Sequence, residues 1–205
     1  MIAELLALAL VWVAWCSLHS GLITPGAVAW FRRRLGGYFA FFRLGYNLVA
    51  IITLIPVLMW SEAMPYRPFL VWRWPFTMLA GVMWLAAVLL GVGGVRAYAL
   101  GEFGGFAQIL RWRQGRGEER GTRTLSRAGI LGSVRHPWYL AGFIVLWAHN
   151  LAPQDLVASV ILSMYLVLGA HWEERKLIAE FGEAYRQYQR QVPMFFPLPR
   201  RFRNR

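Results

Sequence analysis

Two polar clusters interrupt a chain that is otherwise apolar over long runs. The first is Arg135–His136–Pro137, with Tyr139 two residues on. Proline suits the first turn of a helix, and the residue before it is kept out of the helical region, so His136 is expected to act as the cap. Helix-start amides beside a guanidinium and an imidazole suit an anion such as a carboxylate or phosphate. The bland alternative is a juxtamembrane cap whose arginine meets lipid phosphate. The second cluster is Glu173–Glu174. Adjacent carboxylates at a membrane boundary are costly unless paired or solvated. They suit the two hydroxyls of a ribose or a positively charged ligand, or else they are acids solvated in the first turn of a helix. Neighbours on a helix point about 100° apart, so only one of the two is expected to face a pocket. Tyr185 and Tyr188 share a face with Phe181. They could sandwich an adenine ring, wall a lipid tunnel or anchor at the headgroup level.

The elements that must position these residues read as membrane helices. The chain is 58% hydrophobic and 16% charged, against roughly 45–50% and 25% in soluble domains. Its formal net charge is +12, and Lys176 is the only basic residue that is not an arginine. Such a balance in a soluble protein would suggest nucleic acid. Here the charges flank apolar segments, which reads instead as anchoring on anionic lipid at the cytoplasmic face. Cys16 is the only cysteine, so neither a disulfide nor a cysteine-based zinc site forms within one chain. His19, His149 and His171 show no ligand-like spacing. Neither a metal nor a nucleic acid is expected as a partner.

The first span is expected from Ile2 to about Leu22, close to the roughly 20 apolar residues that a membrane helix needs. Glu4 stands where a removable signal would carry a base, so this helix is expected to stay. Thr24–Pro25–Gly26 reads as a turn, followed by Arg32, Arg33, Arg34 and Arg43. A second span from about Leu44 to Ala63 contains Asn47, a candidate for bonding across helices, and Pro56, expected to kink it. Pro75 opens a third helix running to about Tyr98, where Gly81, Gly91, Gly93 and Gly94 permit close approach. Gly101–Gly132 is too polar to span. Trp138 to about Asn150 and Leu156 to His171 read as a short helical hairpin, turning at Ala152–Asp155. Glu173 to Val192 reads as one amphipathic helix on the membrane surface, ended by Pro193, with the arginine-rich tail at 200–205 as a lipid anchor.

The reading is therefore all-α: a polytopic membrane helix bundle of about five transmembrane helices plus a C-terminal amphipathic helix. It forms a single membrane domain, with three helices over 1–98, a basic cytoplasmic segment over 99–133, and the hairpin, amphipathic helix and tail over 134–205. The arginine distribution places the N-terminus outside and the C-terminus in the cytoplasm.

Arg-His-Pro-x-Tyr-x-x-Gly, a short hydrophobic hairpin, Glu-Glu, Phe-Gly-x-x-Tyr-x-x-Tyr and a Val-Pro ending together resemble the isoprenylcysteine carboxyl methyltransferase family. The matching run is Arg135 to Pro197, about the last third of the chain, and the N-terminal part looks like bacterial members of the wider group. The resemblance implies an integral protein of the bacterial inner membrane that uses S-adenosylmethionine to methylate a lipophilic or small hydrophobic acceptor, a carboxylate or thiol first among these. It implies that Arg135, His136 and Tyr139 hold the amino-acid end of the cofactor, with Val134, Pro137 and Gly142 around them. Glu173 or Glu174 would take the ribose, and Tyr185 and Tyr188 the adenine. Arg135 and Glu174 are the expected catalytic pair. In-line methyl displacement needs alignment and water exclusion more than a strong base, so no triad is expected. The family often has Gly-Pro-Tyr-Arg where this chain has Gly129–Ile130–Leu131–Gly132, a departure that bears on the substrate carboxylate. Two alternatives differ in class. One is a sterol-reductase-like enzyme binding NADPH, which usually carries Arg-Asp in place of Glu173–Glu174 and is much longer. The other is a non-catalytic membrane protein of the same fold.

Overall fold

The structure is a computed structural model that describes residues 2–97, 100–116 and 124–196. Its α-helices are α1 (Ile2–Leu22), α2 (Pro25–Leu35), α3 (Phe42–Ala63), α4 (Phe76–Ala97), α5 (Leu100–Gly104), α6 (Phe106–Arg113), α7 (Pro137–Trp147), α8 (Pro153–Phe181) and α9 (Glu183–Gln191). Single 3-10 segments lie at Gly36–Phe41 and Gly129–Gly132. Among the described residues the only β pairing is an isolated antiparallel bridge between Leu70 and Leu151. Among the described residues, four helical stretches are long and apolar enough to cross a membrane: Ile2–Leu22, Pro25–Ala63, Phe76–Ala97 and Pro153–Phe181. The chain is an all-α polytopic membrane helix bundle. Helix α7 is apolar but has 11 residues, about 16 Å at 1.5 Å per residue, roughly half the hydrocarbon thickness. Large apolar side chains stay uncovered along the long helices, Leu10, Ile52 and Leu89 among them. In water this would be an aggregation liability; against lipid tails it costs nothing.

The chain forms two compact units. One comprises Met1–Arg67, Ala99–Thr122 and Pro153–Ile161; the other comprises Pro68–Tyr98, Arg123–Ala152 and Leu162–Arg205. In the first unit, α1 packs on α3. Trp15 donates to the Ala50 carbonyl at 3.2 Å, and the Tyr46 hydroxyl lies 2.5 Å from His19 Nε2. Asn47 does bond across helices, its amide donating to the Phe103 carbonyl of α5 at 3.3 Å. The expected turn at Thr24–Pro25 is present, with Ile23 and Thr24 between α1 and α2, and it also starts a helix: the Thr24 hydroxyl accepts from the Ala27 amide and Pro25 occupies the first turn of α2. That is the standard use of threonine and proline at an N-terminus. Helix α3 runs on through Pro56.

In the second unit, α4 packs closely on α7. A side chain at Gly94 would put its Cβ 2.3 Å from Trp138 Nε1, and one at Gly93 would lie 3.1 Å from Ile130. Trp138 also donates to the Gly91 carbonyl at 3.1 Å. Small residues let membrane helices reach van der Waals contact where no hydrophobic drive exists between them. Gly81 and Gly91 face open space, so close approach is the work of Gly93 and Gly94 alone. Trp84 donates to the Ala148 carbonyl at 2.8 Å and Trp72 to the His149 carbonyl at 3.0 Å, tying off the far end of α7.

The C-terminal elements differ from the expected single amphipathic helix. Helix α8 begins at Pro153, not near Leu156, and continues through Glu173 and Glu174 to Phe181. The break falls at Gly182, whose φ of +58° is a backbone conformation that other residues rarely adopt. Helix α9 is therefore nine residues long. The apolar periodicity straddles the break: Leu177, Ile178 and Phe181 of α8 pack around Tyr185, Tyr188 and Val192 as one core cluster. The aromatic face assigned to the membrane surface is protein interior. The other face carries Glu183, Arg186 and Arg190, all exposed. The tail at 200–205 and Pro197 lie outside the described residues.

Candidate functional site

The site is built where the chain turns into α7. Val134 is 1% exposed, and its amide donates to the Ile130 carbonyl at 3.0 Å, closing the 3-10 segment. Pro137 occupies the first turn of α7, and His136 is the cap residue, its side chain making no hydrogen bond to the helix amides. The segment after α9 runs alongside: the Arg135 amide donates to the Pro193 carbonyl at 3.0 Å and the His136 amide to that of Met194 at 3.2 Å. This strap brings Phe195 to the His136 ring, centroids 6.1 Å apart.

Side chains from the segment before α7 and from α9 then converge on one carboxylate of α8. Glu174 Oε1 lies 2.6 Å from Arg135 Nε and 2.6 Å from Nη2. The same oxygen is 3.3 Å from His136 Nε2 and 3.4 Å from the Tyr185 hydroxyl. Gln189 Nε2 donates to Oε2 at 2.8 Å. Arg135 also donates to the carbonyls of Gln189 and Val192, satisfying the last turn of α9. The Arg135 and Glu174 side chains are 8% and 10% exposed. They are buried, paired and nearly saturated with hydrogen bonds, the arrangement a buried ion pair requires.

Glu173 fares differently. Its side chain is 41% exposed, and its Oε2 lies 3.8 Å from His136 Nδ1. His136 is 2% exposed, and Nδ1 is a buried atom with no hydrogen-bond partner. Nε2 faces the Glu174 carboxylate, which only accepts, so Nε2 carries a proton; Nδ1 is the ring nitrogen left without a partner among the described residues. A buried ring nitrogen without a partner beside a half-exposed carboxylate leaves hydrogen-bonding capacity that no other described residue uses.

Tyr139 crosses the His136 ring edge to face at 5.2 Å, and a Cβ at Gly169 of α8 would lie 3.4 Å from the Tyr139 ring. Gly142 faces Leu166 of α8 in the same way, at 3.5 Å. Tyr185 and Tyr188 are 1% and 3% exposed and pack edge to face at 5.7 Å. The Tyr188 hydroxyl donates to the Leu131 carbonyl at 2.6 Å. Burial foremost, against partial relief from Arg135 and Arg127, pushes its ionisation up to about 12. Tyr185 is raised too, by burial and then by the Glu174 charge.

All ten residues singled out from the sequence thus fall in this region, in unequal roles. Arg135 and Glu174 engage each other, Tyr185 and Tyr188 are core, and His136 and Glu173 keep capacity for a ligand. Three residues were missed. Gln189 completes the Glu174 shell, Arg127 clamps α9 through the Ala184 carbonyl at 2.8 Å and Gln191 at 3.3 Å, and Met194 straps the cap. Gln189 stands four residues after Tyr185, which puts both on one helix face; that spacing was the available signal. Among the described residues no three His, Cys, Asp or Glu side chains gather as metal ligands would.

Fold and site together define a polytopic helical membrane protein with a buried polar cluster at a short-helix cap. No family model matches the chain, and no solved structure does. Curated relatives named methanethiol S-methyltransferase do match. One from a Pseudomonas species is 26% identical over 186 residues, 87% of this chain and 68% of the relative. Methanethiol S-methyltransferase 2 of Bradyrhizobium diazoefficiens is 28% identical over 184 residues, again 87% of this chain and 68% of the relative. That of Pseudomonas deceptionensis is 38% identical over a shorter run of 69 residues, 33% of this chain and 26% of the relative.

Proposed function

We propose that this protein is an S-adenosylmethionine-dependent methyltransferase of the isoprenylcysteine carboxyl methyltransferase-like group, set in the bacterial inner membrane, with a small hydrophobic thiol as acceptor. The observation that carries the reading is the bare, buried Nδ1 of His136 beside the half-exposed carboxylate of Glu173. A half-exposed carboxylate beside an unpartnered ring nitrogen fits a ligand that brings hydrogen-bonding groups and positive charge, and this cofactor has an ammonium group and two ribose hydroxyls. The thiol is favoured over a carboxylate by the activity for which the relatives are named. The absence of the family's arginine, with Gly132 in its place, agrees with an acceptor that has no carboxylate to recognise.

When bound, the cofactor supplies an electrophilic methyl group on a positively charged sulfur. The remaining requirements fall to the chain. Glu173, with His136 Nδ1 beside it, would hold the ligand's polar end and fix its orientation. Arg135 and Glu174 are positioning residues: their ion pair holds α9 against the cap, and Glu174 keeps the His136 proton on Nε2. Tyr139 and the Val192–Phe195 strap exclude water, which favours attack by a desolvated thiolate. In the overall reaction the acceptor sulfur gains a methyl group, the carbon–sulfonium bond breaks, and the thiol proton is released. The topology that goes with this reading has the N-terminus outside and the C-terminus, with the site, in the cytoplasm.

The test is calorimetric titration of detergent-purified protein with S-adenosylmethionine and its demethylated product, with His136→Ala and Glu173→Ala in parallel. Binding that weakens at least tenfold in both variants supports the reading. Folded wild-type protein that binds neither compound ends it, and binding of a nicotinamide nucleotide instead would move the assignment to the reductases.

A further inference from the structure

The first unit carries a helical elbow whose polar and apolar sides are the reverse of those in a soluble helix pair. Helices α5 and α6 meet at Gly105, whose φ of +92° lets the chain turn there. A Cβ at Gly105 would lie 2.8 Å from the Leu44 amide nitrogen and 3.1 Å from Arg43 Cβ. The bend is thus pressed against the start of α3. Asn47, one turn further along α3, donates to the Phe103 carbonyl at the end of α5. At the other end of α6, Trp112 packs on Tyr38 and Phe41, with ring centroids 5.7 and 5.1 Å away. The polar groups of the elbow answer one another. Arg111 binds both oxygens of Glu102, Nη2 to Oε2 at 2.9 Å, and Gln108 donates to the Glu102 carbonyl and carboxylate at 3.0 Å. The Arg111 and Glu102 side chains are 29% and 38% exposed. Phe106 and Leu110, four apart on α6, are 65% and 56% exposed, and Leu100 and Phe103, three apart on α5, are exposed as well.

We propose that this elbow is sunk in the leaflet at which α3 begins, with Leu100, Phe103, Phe106 and Leu110 among the acyl chains. Its depth follows from its attachment. The run from Leu44 to Ser61 holds no Asp, Glu, Lys or Arg, and as a helix it is about 27 Å long, close to the hydrocarbon thickness. Arg43 therefore marks the boundary. The Phe103 carbonyl is held by a residue four positions past it, about 6 Å deeper. Helices that lie in a membrane surface bury their apolar face about 5–10 Å into that boundary. The Asn47 bond fits the same setting: a helix that ends against lipid needs a protein donor for its last carbonyls, where in water solvent would serve. Water would favour the opposite arrangement, with the Glu102–Arg111 pair outermost and the phenylalanines covered. The Gly101–Gly132 stretch, too polar to span, thus opens with an element that lies in the membrane.

The experiment is site-directed spin labelling of the full chain, in a Cys16→Ser background, reconstituted in phosphatidylcholine–phosphatidylglycerol vesicles. Nitroxides are attached through Phe106→Cys and Leu110→Cys, with Ile52→Cys in mid-span and Arg67→Cys in a loop as lipid and water references. Collision with oxygen, which concentrates in hydrocarbon, is compared with collision with a water-soluble nickel chelate. Oxygen is expected to exceed the chelate at least threefold at both elbow positions, as at the mid-span reference, and to fall below it at the loop reference. Leu100→Cys replaces either elbow label should that variant fail to fold. Collisions with the chelate that outnumber those with oxygen at the elbow would place it in water and overturn the proposal. Dipolar broadening between elbow labels of two chains would cover the face with a second copy and overturn it equally.

Discussion

Replacing Glu174 and Glu173 separately by alanine divides what holds the site together from what remains for a ligand. Glu174→Ala removes the acceptor of two charged contacts of 2.6 Å from Arg135 and of a 2.8 Å bond from Gln189. It leaves a guanidinium that is 8% exposed without a counterion. Breaking a buried pair in this way costs about 3–5 kcal/mol. Arg135 keeps its two carbonyl partners on α9, so the lower end, about 3 kcal/mol, is expected. For a chain of this size that corresponds to a fall in Tm on the order of 10 °C. Glu173→Ala removes a side chain that is 41% exposed, with an expected cost within about 0.5 kcal/mol. The assay is thermal unfolding in detergent, followed by intrinsic tryptophan fluorescence. The double variant Arg135→Met/Glu174→Met should recover part of the loss, since apolar replacement of both partners removes the unpaired charge. Equal, small shifts for the two single variants would refute the assignment of Glu174 as the organising carboxylate.

Three further outcomes follow from the packing. Gly94→Ala forces its new Cβ into the Trp138 ring at 2.3 Å and should destabilise by about 1–3 kcal/mol. Gly91→Ala, in open space, should be neutral or stabilise by up to about 1 kcal/mol; the same melts compare them. Tyr188→Phe leaves the buried Leu131 carbonyl without its 2.6 Å donor, at an expected cost of about 1–2 kcal/mol. Tyr188 ionises near 10 when unfolded and is pushed up to about 12 when folded. Its contribution is therefore fully present below pH about 10 and is lost as pH rises through about 12. Phenolate absorbance of wild-type minus Tyr188→Phe protein should show the late-titrating group.

Long apolar runs made α1, α3 and α4 legible almost to the residue, because twenty apolar residues in a row have one use. The Arg–His–Pro cap was equally legible, since proline fixes both its own φ and its predecessor's region. The sequence misled at Gly182. There the periodicity on either side continues in phase, so nothing in the pattern marks the break. The difference between Glu173 and Glu174 was foreseeable in kind from their 100° separation. Which one is buried depends on Arg135 and Gln189 arriving from other helices, information that no local window holds. The orphaned Nδ1 of His136 belongs to the same class, because it is defined by what its neighbours leave unmet.

The central claim is most directly tested by incubating purified protein with methyl-labelled S-adenosylmethionine and methanethiol and measuring labelled dimethyl sulfide in the headspace. The account predicts steady product formation by wild-type protein and loss of at least tenfold in both His136→Ala and Glu173→Ala, the second at unchanged thermal stability. No product from folded protein that binds no S-adenosylmethionine, or full activity in Glu173→Ala, would contradict it.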